Sequence, residues 1–310
     1  MKNKRIFITG GTGFLGKNLI KKFYSDNEIT VYSRDEAKQY FLKKQYPNIN
    51  CICGDIRNYD LMFRSSKNHN IGIFAASFKQ IEACHDNCEE ANQVIVQGSF
   101  NSRRCAEENN FESACFISSD KSRSATTIYG AMKYVAGESF IANYQKSSVK
   151  LSTLIYGNVL NSTGSILPLI WRSISEKFPL NLYGENMTRF FVDVEDAVNL
   201  VEKSLNYTGY NIIPNLKSMR IKDLFDIFKE EFGLNYEISS PRDCEKIHEI
   251  MASQDEIARM KLDNEIYLMH QKEIYNQLAF KNNQYSSEDS LIDRGDLFNF
   301  LKNKNFYMSA

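Results

Sequence analysis

The sequence predicts an α/β chain built on a doubly wound parallel sheet of Rossmann type, with a smaller C-terminal lobe. Over the first two-thirds of the chain, short apolar runs alternate with helical patterns, the order that makes βαβ units. The first apolar run empties into Gly10-Gly11-Thr12-Gly13-Phe14-Leu15-Gly16, directly ahead of a helical pattern. At 310 residues the chain is long enough to bury the core of one such domain and of a second lobe.

Taken in order, the apolar runs place strands at Arg5–Thr9, Ile29–Tyr32, Ile49–Cys53, Ile71–Ala75, Ala114–Ser118 and Lys150–Tyr156. Helical patterns lie between them at Phe14–Tyr24, Tyr59–Ser66, Glu89–Glu108 and Thr127–Gln145. From about Gly157 the pattern changes to loops and short strands, with helices at Val194–Leu205 and Ile221–Phe232. Residues beyond Asp255 read as polar and irregular until a last helix near Ser290–Leu301. The expected division is 1–157, joined by about 190–210, for the nucleotide-binding domain, and 158–310 for a discontinuous substrate lobe.

Lys plus Arg and Asp plus Glu are each 38, so nothing electrostatic points to nucleic acid or to an anionic membrane surface. The basic start and the run Ile6-Phe7-Ile8-Thr9 are similar to the opening of a signal peptide, but the run stops at Gly10-Gly11. No stretch approaches the eighteen or so apolar residues of a membrane helix, and a cytoplasmic location is expected. The seven cysteines, an odd number, are expected as free thiols. Cys84-His85 with Cys88 lacks a second ligand pair, so no metal site is expected. His69 and His270 stand in polar surroundings and are expected at the surface.

The glycine cluster permits a tight turn and brings backbone N–H groups close to a pyrophosphate at a helix N-terminus, with Gly10, Thr12, Gly13 and Gly16 at the turn. The end of the second strand then bears on cofactor choice. Ser33 can hydrogen-bond a 2′-phosphate, Arg34 can stack on adenine and pair with that phosphate, and Lys38 lies one helical turn on. Asp35 is the counterweight, since an acid there would serve the ribose hydroxyl of NAD. The balance favours NADP over NAD. Asp55, after the third strand, is placed for the adenine amino group or as the N-cap of the next helix.

Ser118-Ser119-Asp120-Lys121 closes the fifth strand, and Tyr129-Gly130-Ala131-Met132-Lys133 follows. Tyr129 and Lys133, four apart, share a helix face. The Lys133 ammonium is expected to lower the Tyr129 phenol towards neutrality, so that it can take a proton from a substrate alcohol as hydride departs. Tyr-x-x-x-Lys also occurs by chance on many helices. Its position beside a strand C-terminus near the sheet's switch point, where ligands bind, makes it specific. Asp120-Lys121 could be a salt-bridged surface loop. In this cleft it adds an acid and a base that alcohol oxidation does not need, which argues for elimination on a sugar.

Together these residues resemble an extended short-chain dehydrogenase/reductase. More narrowly, the chain is similar to soluble NADP-dependent UDP-N-acetylglucosamine 4,6-dehydratases that invert C5, enzymes of surface-glycan and nonulosonic-acid biosynthesis. The blocks that carry the resemblance span roughly residues 4–301. They are Ile8–Gly16, Tyr32–Lys38, Gly54–Arg57, Ala75–Gln80, Ser118–Lys133, Tyr156–Val159, Gly164–Pro168, Met187–Phe190 and Glu245–Glu249. The resemblance implies cofactor contacts at Phe14, Leu15, Ile56, Ala75, Ala76, Ser77 and Tyr156, besides Tyr129 and Lys133, and a homo-oligomer. It implies a UDP-sugar held by the C-terminal lobe. Lys79, Asn158 and Ser165 would line that cleft, Arg189 and Arg242 would clamp the diphosphate, and Glu245 would accept ribose hydroxyls.

The implied chemistry begins with removal of the 4-OH proton by Tyr129 while Ser119, or Ser118, holds the oxygen. Lys121 then serves as base at C5, provided its pKa is depressed, and Asp120 protonates the departing 6-OH. A Glu beside the Asp would be expected for retention, so Lys121 argues for inversion. Departures from the family pattern are Ile95 for Asn, Ile155 and Thr163 for Arg, Arg242-Asp243-Cys244 for Arg-Pro-Gly, and Ser124–Thr127. The catalytic set is intact while the substrate shell has drifted, which leaves the sugar and the base open. A C4-epimerase or 4-keto reductase would need Tyr129 and Lys133 but not Asp120-Lys121. An NADP-binding sensor or scaffold would be expected to have lost Tyr129 or Lys133.

Overall fold

Six strands run parallel through the first half of the computed structural model, which describes residues 1–242 and 244–306. They are Arg5–Thr9 (β1), Glu28–Ser33 (β2), Asn50–Cys53 (β3), Ile71–Phe74 (β4), Ser113–Ile117 (β5) and Lys150–Leu154 (β6). Their order is β3-β2-β1-β4-β5-β6, so the direction of winding reverses between β1 and β4 and opens a crevice at the strand C-termini. The helices between them are Phe14–Phe23 (α1), Glu36–Gln45 (α2), Tyr59–Ser65 (α3), Ile81–Asp86 (α4), Cys88–Asn92 (α5), Gly98–Glu108 (α6) and Ile128–Ile141 (α7).

The sheet is covered on both faces, because successive side chains of β1 enter opposite cores. Ile6 and Ile8 pack with Leu19 and Ile20 of α1 and with Val198 and Val201 of the helix Val194–Ser204. Phe7 packs the other way, in the cluster of Phe74, Phe116, Ala136 and Phe140. Each such side chain taken from water contributes about 1.5–3 kcal/mol, which fixes the register of β1 against a one-residue slip.

The expected strands and helices form within a few residues of their predicted limits, with several additions and changes, among them the short helix α4. The helix α2 was not expected, because its sequence is polar and only Gln39 and Leu42 are buried. The helix Ile166–Glu176 was likewise read as loop. The helix expected at Glu89–Glu108 is interrupted by a π-helical turn, Gln93–Gln97, that carries the buried Ile95. The reading of residues beyond Asp255 as irregular is also corrected. Met260–Asp263 and Ile266–His270 form a hairpin that extends the main sheet next to Tyr210–Pro214, so the sheet has nine strands. More of the C-terminal half therefore lies in the main sheet than the expected return at about 190–210. His270 is buried on that hairpin, contrary to expectation: its Nδ1 accepts the N–H groups of Lys272 and Glu273, and Nε2 meets the Tyr144 hydroxyl at 3.1 Å. His69 is half-buried against Thr30.

A separate core, built from Leu160, Leu167, Ile170, Phe225, Phe228 and Leu297, holds the smaller lobe beside the strand C-termini. All seven cysteines are free thiols. Among the described residues no helix is long and apolar enough to cross a membrane. Asp243, one of the departures noted above, lies outside the described residues.

Candidate active site

The glycine turn is built as its sequence demands. Gly10 has φ +72°, and a Cβ there would lie 2.9 Å from the backbone nitrogen of Ala76 on the neighbouring β4 loop. A Cβ on Gly16 would lie 2.5 Å from the carbonyl oxygen of Gly10, so α1 starts hard against the turn. Gly13 caps α1 without a side-chain bond, and the first turn holds no acidic residue. The N-terminal N–H groups thus face the crevice in a field that favours an anion. Across the crevice, Ala76 donates its N–H to Thr9 Oγ1, and the buried Ser77 Oγ has no hydrogen-bond partner among the described residues. These features fit a dinucleotide.

At the far end of the crevice, Asp35 caps α2 by accepting the Lys38 N–H at 2.9 Å and pairs with the Lys38 ammonium at 2.6 Å. Its carboxylate is held below its usual range by those bonds. The acid that would have served NAD is therefore turned into a helix cap, at the cost of part of the Lys38 charge. Arg34 is exposed, 3.9 Å from Asp55. Ser33 Oγ accepts from Gln39 and keeps its own proton to donate. Asp55 does not cap α3: Asn58 does, by accepting the Leu61 N–H, while Asp55 is gripped by the Arg57 side chain at 2.6 and 2.9 Å. Ile56 is buried against Gly98.

The reactive cluster gathers at the end of β5. Thr127 caps α7 by accepting the Gly130 N–H at 3.1 Å, which orients the helix that carries Tyr129 and Lys133. Lys133 does not do what its spacing suggests. Its buried ammonium donates to the Ile117 carbonyl at 2.9 Å and lies over the Phe116 ring, and burial pulls its pKa down to about 7. Burial pushes the Tyr129 phenol up to about 12, and the cation that opposes this is Lys121. A shared helix face brings the two Cβ atoms together, but the long lysine stem follows its hydrogen-bond acceptor.

Asp120 is buried, with Oδ1 accepting from Ser119 Oγ and the Lys121 N–H at 2.9 Å and from Lys121 Nζ at 3.2 Å. Its Oδ2 has no partner among the described residues. Burial raises its pKa above the usual carboxylate range, against the pull of the Lys121 charge. Lys121 also lies 3.2 Å from Oε1 of Glu249. Burial disfavours its ammonium, but Asp120 and Glu249 outweigh that and hold its pKa well above the ordinary lysine value. The condition set for Lys121 as a resting base, a depressed pKa, is therefore not met. Its side chain keeps 24% of its exposure, enough for a substrate to reach it.

Glu249 and Lys246 received no role in the sequence reading, although both lie in the block Glu245–Glu249. Nothing local marked them, since what brings Glu249 to Lys121 is the pairing of Ile250–Ala252 with Tyr285–Ser286. The half-buried Lys246 ammonium donates to the Arg123 carbonyl at 2.6 Å, and burial lowers its pKa. The buried Arg123, also unforeseen, pairs with Glu138 at 2.9 Å and Glu256 at 2.7 Å.

The remaining candidates lie around this cluster. Lys79 donates to the Thr163 carbonyl, and burial lowers its pKa. Ser165 begins the helix Ile166–Glu176 with its Oγ unpartnered among the described residues. Asn158 donates to the Phe190 carbonyl, and Tyr156 is buried with a raised pKa. Arg189 is buried and committed to the Thr188 and Ile247 carbonyls, to Glu245 at 3.0 Å and to Glu249 at 3.7 Å. Arg242 is exposed and joins Glu245 to Glu82. Ile155 is wholly buried with Phe190 and Ile213.

A family model described as a polysaccharide biosynthesis protein matches residues 6–271. An uncharacterized membrane protein of Methanocaldococcus jannaschii is 32% identical over 93% of this chain and 92% of its own length. A UDP-N-acetylglucosamine 4,6-dehydratase (inverting) of Campylobacter jejuni is 31% identical over 82% of this chain and 78% of its own. A UDP-glucose 4-epimerase of Rickettsia massiliae is 29% identical over 83% and 80%. Among solved structures, Pen from Bacillus thuringiensis superposes with a TM-score of 0.89 at 26% identity, covering 98% of this chain and 99% of that one.

Proposed function

Because the chain belongs to the polysaccharide biosynthesis protein family, we propose that it is an NADP-dependent nucleotide-sugar 4,6-dehydratase that acts on UDP-N-acetylglucosamine with inversion at C5. One observation carries the reading: a buried Asp120 paired with the partly exposed Lys121 stands beside Tyr129, where an enzyme that only oxidised and reduced C4 would need neither charge.

Gly10, Thr12, Gly13 and the start of α1 would hold the pyrophosphate, Ser33, Arg34 and Lys38 the 2′-phosphate, and Lys133 the nicotinamide ribose. A nicotinamide bound there would supply the acceptor for the C4 hydride and the donor for its return to C6. Ser119 orients the 4-oxygen and Tyr129 removes its proton. Lys121, an ammonium at rest, first passes a proton to Asp120, 3.2 Å away and already raised by burial. That single transfer creates both forms the elimination requires, a neutral amine and a carboxylic acid. The amine takes H5 and the acid protonates the leaving 6-oxygen, which restores the resting charges. Arg242, exposed above the cleft, is the diphosphate clamp, and Arg189 supports it through Glu245.

The test is to incubate the protein with UDP-N-acetylglucosamine and NADP in D₂O. The expected product has lost one water, shows a 6-deoxy-4-keto methyl signal and carries deuterium at an inverted C5. A product of unchanged mass without deuterium would make the protein a C4-epimerase, the reading favoured by its 4-epimerase relatives. Dehydration of another nucleotide sugar instead would keep the chemistry and assign the changed preference to Ile155 and Thr163.

A further inference from the structure

The carboxylate of Glu249 is placed with unusual care for a side chain outside the Asp120–Lys121–Tyr129 set. It is 3% exposed and sits 3.2 Å from Lys121 Nζ, 3.7 Å from Arg189 Nε and 3.9 Å from Lys246 Nζ. Its Oε2 has no hydrogen-bond partner among the described residues. Its peptide is pinned on both sides by one residue, since Glu249 N–H donates to Ser287 Oγ at 2.9 Å and its carbonyl accepts from the Ser287 N–H at 2.8 Å. A buried carboxylate fixed in this way and left partly unsatisfied is retained for the charge it presents.

We propose that Glu249 is a positioning residue that acts through Lys121: it is the second counter-ion of Lys121, which sustains the basicity of its amine while Asp120 is protonated and steadies the ammonium that forms when the amine takes H5. The inference rests on the dehydratase reading above. Asp120 cannot both hold the proton destined for the 6-oxygen and balance Lys121. In the elimination the Lys121 lone pair forms an N–H bond as C5–H breaks, that electron pair becomes the C5–C6 double bond, and the C6–O bond breaks with its oxygen taking the Asp120 proton. Asp120 is still protonated as that N–H bond begins to form, so Glu249 is then the carboxylate that steadies the developing ammonium. The groups facing Lys121 are Asp120, Glu249, the Tyr129 phenol and Arg189, with Lys246 behind Glu249. Among these only Asp120, Glu249 and the phenol can be anionic, and burial keeps the phenol neutral.

The test is a carbon-13 NMR titration of protein labelled at lysine Cε, with the Lys121 signal identified by its loss in Lys121→Arg. Removing the charge in Glu249→Gln is expected to lower the Lys121 midpoint by about one pH unit or more, a tenfold rise in amine at a given pH. The limb of the dehydration rate that follows Lys121 should move down with it. Glu249→Asp, which shortens the arm but keeps the charge, should recover part of the shift and serves if the amide variant does not fold. An unmoved Lys121 midpoint in a folded variant overturns the proposal. Because the titration uses no substrate, a shifted midpoint in a protein that fails to dehydrate would refute the dehydratase reading while leaving Lys121 under the control of Glu249.

Discussion

Lys133 is the side chain whose burial conflicts most openly with its chemistry. Its pKa of about 7 lies far below that of a lysine in an unfolded chain, because burial penalises the ammonium. Below about pH 7 the folded protein pays the full penalty. Between about 7 and 10.5 the unfolded chain binds the proton and the folded one does not, so this group makes stability rise with pH. The ligand-free protein should therefore gain stability from pH 7 to 9 relative to Lys133→Met, by on the order of 1–3 kcal/mol. Urea unfolding of both proteins at several pH values measures this, and parallel curves would show that Lys133 is not neutralised by folding. The same strain suits a cofactor site, since ribose hydroxyls would supply the bonds that the protein withholds.

The helix α2 depends on one cap. Its N-cap, Asp35, spends its carboxylate on the Lys38 N–H and on the Lys38 ammonium. Asn caps a helix as well as Asp does, so Asp35→Asn keeps α2 while releasing Lys38. The ratio of NADP affinity to NAD affinity should then rise about two- to five-fold, the size of one screened surface charge. Fluorescence titrations with the two reduced cofactors measure it, and an unchanged ratio would mean that Lys38 does not face the 2′-phosphate. The π-helical turn at Gln93–Gln97 is the other local irregularity, and it turns the buried Ile95 into the core that also contains Tyr129.

The two halves of the molecule are tied together beneath the reactive cluster by Arg123. Its guanidinium spans Glu138 of α7 and Glu256 of the C-terminal half, its carbonyl receives Lys246, and Thr126 Oγ1 donates to the Cys244 carbonyl at 2.8 Å. Burial alone would raise the Glu256 pKa, but the Arg123 charge holds it below its usual range. Arg123→Ala removes the counter-charge of both carboxylates and is expected to cost about 3–5 kcal/mol. It should also abolish the dehydration proposed above, because the segment it releases carries Glu249. Denaturation midpoints and the product assay in D₂O test the two effects, and a variant with native stability would show that the tie is dispensable.

The order of strands to β6, the glycine turn and the grouping of Ser119, Asp120, Lys121, Tyr129 and Lys133 were legible in the chain, because each depends on residues a few positions apart. Apolar period, glycine conformation and helix spacing are local properties, and they write themselves into local sequence. The ninefold sheet was not legible, since Met260–Asp263 and Ile266–His270 become strands only by pairing with Tyr210–Pro214. Nor was the protonation logic. Lys133 turns from Tyr129 to the Ile117 carbonyl, Asp35 turns from the crevice to its own helix, and Glu249 arrives beside Lys121 from more than a hundred residues away. Charge states answer to burial and to the nearest opposite charge, and both are set by contacts between distant parts of the chain that only tertiary folding creates.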